Sequence, residues 1–64
     1  MKGTVKRVQK EKGFGFIKGE DGDEYFFHRS AVTFSFDEVR DGMKVEFEPD
    51  EGPKGLRAKD VERG

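Results

Sequence analysis

An all-β fold, five short strands closed into a small barrel, is predicted by three features of this sequence. Apolar and aromatic residues fall in short runs with the two-residue alternation of strands. No stretch carries the apolar spacing of an amphipathic helix. Clusters of Gly, Asp, Glu and Pro break the runs into five pieces. Closing five strands into a barrel removes the unpaired edges that an open sheet of this size would expose.

The first strand is expected over Lys2 to Gln9, where Val5 and Val8 have opposite parity. Either one of them is exposed or a bulge rotates the strand between them. A turn at Lys10-Glu11 leads to a second strand from about Gly13 to Lys18, followed by a polar hairpin loop over Gly19 to Asp23. The third strand is Glu24 to His28. Ser30 to Gly42 is irregular: Ser35-Phe36-Asp37-Glu38 fits a capping box and Gly42 a helix stop, which allows a turn or two of helix. Met43 to Glu48 alternates cleanly, with Met43, Val45 and Phe47 inward. Pro49 to Gly55 reads as a long loop and Leu56 to Glu62 as the last strand, where Ala58 and Val61 again differ in parity. With 64 residues and neither repeat nor linker, the expectation is one domain, 1–64. A five-stranded barrel of the OB type fits this size.

The second strand carries the strongest functional signal. Lys12, Phe14, Phe16 and Lys18 fall on one face, and Gly13, Gly15 and Ile17 on the other. Two phenylalanines between two lysines supply rings for bases to stack on and cations for the phosphates beside them. The competing reading puts both rings in the core with the lysines at its rim. Against it, two glycines on the opposite face have little to bury and let another strand come close. In the third strand Phe26 and His28 share one face, with Tyr25 and Phe27 on the other. Hairpin pairing then adds Phe26 and His28 to Phe14 and Phe16, and leaves Phe27 as the core residue.

Charge is distributed to match. Net charge is −1, with charged residues at 42% and apolar residues at 31% of the chain. Residues 1–18 hold six basic groups against Glu11 alone, whereas residues 37–51 hold seven acids against Arg40 and Lys44. Positive charge therefore gathers around the aromatic strand and again at the C-terminal end. Seven Phe and one Tyr argue that the chain closes a core in spite of its polar composition.

Several classes are disfavoured. No cysteine is present and the one histidine is His28, so neither a disulfide framework nor a metal cluster is expected. Asp21 and Asp23 lack the further alternating ligands of a calcium loop. Without a nucleophile–base pair or a phosphate-binding loop, an enzyme is not expected, nor is a cofactor. The longest apolar run, Tyr25-Phe26-Phe27, is too short for a membrane span or a signal peptide, and a cytoplasmic location is the expectation. Lys12 to Ile17 fits the start of the ribonucleoprotein motif, but RNA-recognition domains need two helices that this chain lacks.

Lys12-Gly13-Phe14-Gly15-Phe16-Ile17, followed by Tyr25-Phe26-Phe27-His28-Arg29-Ser30-Ala31-Val32, resembles the bacterial cold-shock proteins. The likeness extends to Gly3-Thr4-Val5-Lys6, Gly42 to Glu48, and Gly52 to Ala58. It implies a five-stranded antiparallel OB-type barrel that binds single-stranded RNA and DNA and acts in RNA chaperoning or in transcript or translation control. By position, the resemblance makes Phe14, Phe16, Phe26 and His28 base-stacking residues and Lys6 and Lys12 basic contacts, with Arg57 near a polar or basic position of the last strand. Two positions depart from the family pattern. Arg7 and Val8 stand where relatives usually have Trp and Phe, and Arg29 stands where another stacking ring follows the His. Guanidinium planes stack on bases and also bind phosphate, so Arg7 and Arg29 are included in the expected site. Phe34 is the expected loop aromatic, in preference to Phe36. The expected partner is single-stranded RNA or DNA, bound by a monomer; the alternative is a protein-interaction module using the same aromatic patch.

Overall fold

The computed structural model describes residues 1–64 and shows a closed barrel with strand order β1-β2-β3-β5-β4. The strands are β1 (Lys2–Gln9), β2 (Phe14–Gly19), β3 (Glu24–His28), β4 (Lys44–Gly52) and β5 (Gly55–Arg63). Four of the five contacts in the ring are antiparallel. The ring closes through one parallel contact, in which Phe26 of β3 pairs with Arg57 of β5. No helix is long and apolar enough to cross a membrane.

The core is the inner face of the alternating strands: Val5, Ile17, Tyr25, Phe27, Val45, Phe47, Ala58 and Val61, plugged by Val39 from the irregular segment. Both parity conflicts resolve as bulges. In β1, Val5 pairs with Ile17 but Arg7 pairs with Phe16, so Lys6 is the extra residue and Val8 turns toward the core. The chain from Asp41 to Met43 covers this irregularity: Val5 N–H donates to the Met43 carbonyl at 2.8 Å, and Val8 N–H to the Asp41 carboxylate at 3.0 Å. In β5, Asp60 and Val61 together oppose Phe47, and Asp60 takes a left-handed backbone with φ +51°. That step buries both Ala58 and Val61.

Two local expectations are corrected. Pro49 to Gly55 is not a long loop: β4 continues to Gly52, β5 starts at Gly55, and Pro53-Lys54 is a tight turn between them. Pro49 lacks an N–H, yet it pairs with Ala58 because partners on both sides hold the ladder. The capping box at Ser35 does not form either. Phe36–Glu38 is a single 3-10 turn with no side-chain bond from Ser35, and Gly42, at φ +87°, lies beyond its end. A second 3-10 turn, Arg29–Ala31, follows β3.

Candidate nucleic-acid interface

Pairing of β2 with β3 sets Phe14 opposite His28 and Phe16 opposite Phe26. Direct partners point the same way, so these four residues stand on the outer face of the barrel. Their chain neighbours Gly15, Ile17, Tyr25 and Phe27 are buried. The three phenylalanine rings form a half-buried cluster. Phe14 lies 5.5 Å from Phe26 and 6.1 Å from Phe16, and Phe16 lies 5.9 Å from Phe26, in tilted and edge-on arrangements. Each ring is supported by its neighbours while one side of the cluster stays open to solvent.

Glycines behind the face explain how it forms. A Cβ on Gly15 would stand 2.6 Å from the Arg7 carbonyl and 2.8 Å from the Phe27 ring. Only glycine lets β1 and the core ring approach β2 this closely. Gly13, at φ +74°, turns the chain into β2 and lies under the aliphatic stem of Arg29.

His28 closes one end of the aromatic row. Its Nδ1 accepts from the Ser30 N–H at 3.2 Å and contacts the Ser30 hydroxyl at 2.9 Å, which caps the following turn. With Nδ1 engaged as acceptor, the neutral ring carries its proton on Nε2.

Cations border the rings. Arg7 is exposed and sits directly across from Phe16, at the place the β1 bulge gives it. Lys6, the bulged residue, donates to Glu24 at 2.8 Å, and this bond holds the Glu24 carboxyl below its ordinary range. Lys12 is exposed in the turn before Phe14. Arg29 is anchored beside it by its N–H, which donates to the Gly13 carbonyl at 2.8 Å. Arg57 flanks Phe26 from β5 and reaches Asp50 at 3.4 Å.

Phe34 is not brought to the ring cluster. It packs against the core with the Arg63 guanidinium 4.9 Å above its ring. Phe36 also packs inward, 6.3 Å from Phe27, with the Lys10 ammonium over its outer side. In place of a loop aromatic, the structure sets the tip of the β4–β5 hairpin beside the rings. Pro53, Lys54, Leu56 and Arg57 join Phe16 and Phe26 around an open groove of about 670 Å³. Sequence reasoning missed Leu56 because it shares parity with the buried Ala58. The hairpin overhangs the single β3–β5 contact, so Leu56 stays 36% exposed.

No group of histidine and acidic side chains is placed to hold a metal ion. Half-exposed rings, flanking guanidinium and ammonium groups and an apolar groove suit stacking and phosphate contact.

Residues 1–63 match the family described as "'Cold-shock' DNA-binding domain". The chain is 44% identical over 62 residues to cold shock protein CspC of Bacillus subtilis, covering 95% of this chain and 94% of that protein. It is 49% identical over 61 residues to cold shock-like protein CspA of Stigmatella aurantiaca, covering 92% and 90%. Cold shock protein 2 of Lactiplantibacillus plantarum is 44% identical over 61 residues, covering 94% and 92%.

Proposed function

The chain belongs to the cold-shock DNA-binding domain family, and from that premise we propose that residues 1–64 act as one domain that binds single-stranded RNA or DNA. Bases stack on Phe14, Phe16, Phe26 and His28, and Arg7, Lys6, Lys12, Arg29 and Arg57 engage phosphates or stack at the margins. One observation carries the reading: three contacting phenylalanine rings remain half-exposed on the barrel exterior while the neighbouring strand residues fill the core. A small domain gains about 1.5–3 kcal/mol by burying such a ring fully, so three left at the surface need a ligand.

Stacking contributes about 1–3 kcal/mol per base and tolerates most sequences. Distributed contacts of that size hold RNA unpaired and release it readily, which suits an RNA chaperone or a factor in transcript or translation control. The protein acts as a monomer in this reading, with no cofactor.

The test is fluorescence anisotropy with an end-labelled pyrimidine-rich single strand and a duplex of equal length, at two salt concentrations. Saturable binding that prefers the single strand and is lost in a folded Phe14→Ala/Phe26→Ala variant supports the proposal. Equal binding to both ligands at low salt would sink it and move the aromatic patch to a protein partner.

A further inference from the structure

A second row of side chains continues from the aromatic face around the barrel. Lys18 follows Phe16 by two residues in β2 and shares its outward direction. It lies opposite Thr4 of β1, and Thr4 in turn lies opposite Lys44 of β4. The Lys44 ammonium donates to the Thr4 hydroxyl at 3.4 Å. An open groove of about 460 Å³ runs over this row, bordered by Lys2, Lys18, Lys44, Thr4 and Glu20, and no hydrophobic side chain lines it. Gly3 and Gly19 line it with backbone alone, since a side chain at either would point inward, toward Ile17 and Phe47 or toward Tyr25.

Lys6 is tied to Glu24 and Arg57 to Asp50, whereas Lys2, Lys18 and Lys44, like Arg7, Lys12 and Arg29 beside the rings, enter no salt bridge. The one carboxylate lining the groove, Glu20, accepts from the Lys2 backbone N–H at 3.1 Å. Past Lys44 the outer face of β4 becomes acidic with Glu46 and Glu48, which ends the positive stretch. The groove therefore offers cations and a hydroxyl without any ring to stack on.

We propose that Lys18, Thr4 and Lys44, with Lys2 at the edge, form a track for the phosphodiester backbone of a strand whose bases occupy the aromatic face. The track rests on the single-strand reading above and lengthens its footprint by a segment held through phosphate alone. Phosphates fit because the row supplies charge and hydrogen-bond donors at strand spacing, and Glu46 and Glu48 repel a polyanion from going further.

The experiment compares wild type with Lys18→Gln/Lys44→Gln on two labelled single strands, one of about four nucleotides and one of about twelve, over a salt series. Each phosphate neutralised on a single strand adds about 0.7 to the slope of log affinity against log salt. The double variant is expected to lose about 1.4 from that slope on the long strand. It should bind the short strand within about twofold of wild type, since that strand ends on the rings. An unchanged long-strand slope overturns the track, and so does an equal loss on the short strand. Phe14→Ala/Phe26→Ala on the short strand keeps the two ideas separate. If it binds as wild type does, stacking itself fails; if it does not while the lysine variant matches wild type on both strands, only the track fails.

Discussion

Arg7 and Phe16 are direct partners across β1 and β2, so the two side chains leave the barrel on the same outer face. Without the bulge at Lys6, Arg7 would share the inward parity of Val5. Its position gives Arg7 two uses, stacking on the base next to Phe16 and neutralising a phosphate. Arg7→Trp is expected to tighten single-strand binding about tenfold, since a larger ring adds to a stacking term of about 1–3 kcal/mol. The salt slope should fall by about 0.7 as the charge is lost. Arg7→Ala should lower the slope equally and weaken binding. A slope unchanged in both variants would remove Arg7 from the phosphate path.

Phe26 and Phe27 are adjacent in β3 and opposite in consequence. Phe27 is fully buried, whereas Phe26 is half-exposed against Phe14 and Phe16. Phe27→Ala is expected to cost about 3–5 kcal/mol, comparable to the whole stability of so small a domain, and to leave the chain largely unfolded. Phe26→Ala should remain folded in urea titrations and lose about tenfold or more in single-strand affinity. Equal losses of stability in the two variants would make the outer cluster a second core rather than a binding face.

The aromatic face was legible because alternation fixes direction along a strand, and the glycines at 13 and 15 left the opposite side only Ile17 to bury. The two bulges were legible as conflicts, Val5 against Val8 and Ala58 against Val61, since burying both members of each pair requires an extra residue. The β4–β5 hairpin was not, because Pro49 and the Gly and Asp around it carry the same composition as a loop. What holds them in strands is partners from Leu56 to Lys59, a pairing no local pattern reports. The preference for Phe34 over Phe36 had no local pattern behind it for a related reason. Both rings lie in the irregular stretch, and tertiary contacts with Arg63, Lys10 and Phe27 set their places.

Tyr25 offers a titration that reports the hairpin loop. Its hydroxyl donates to Asp21 at 2.6 Å, and that bond, with burial and the nearby carboxylates, pushes the phenol up from 10.0 to about 12. The same bond and the Asp23 N–H hold the Asp21 carboxyl below its ordinary value. A raised phenol means the fold favours the protonated form. Its contribution to stability is therefore complete below pH 10.0 and declines as pH rises toward about 12. The lowered carboxyl contributes above its unfolded value of 3.8 and is lost as pH falls through the lower folded one. The chain has one tyrosine and no tryptophan, so phenolate absorbance reads a single group. Asp21→Ala should return the midpoint toward 10.0. A midpoint near 12 that survives in the variant would assign the shift to burial instead.

Asp60 sets the register of the last strand through its backbone. It is exposed, and at φ +51° it occupies the left-handed region while Val61 beside it is fully buried. Asp, Asn and Gly visit that region readily, whereas a β-branched residue there is strained by about 1–3 kcal/mol. Asp60→Val is accordingly expected to destabilise by about 1–3 kcal/mol although it removes no core contact, and Asp60→Asn to stay within about 0.5 kcal/mol of wild type. Urea midpoints at constant m-value give both numbers. The strain has a definite alternative to escape into: a flat β5 would turn either Ala58 or Val61 outward and open the ring where β5 meets β3 and β4. If Asp60→Val matched wild type, the buried pair alone would hold the bulge, and the left-handed residue would be a consequence of the packing rather than its condition.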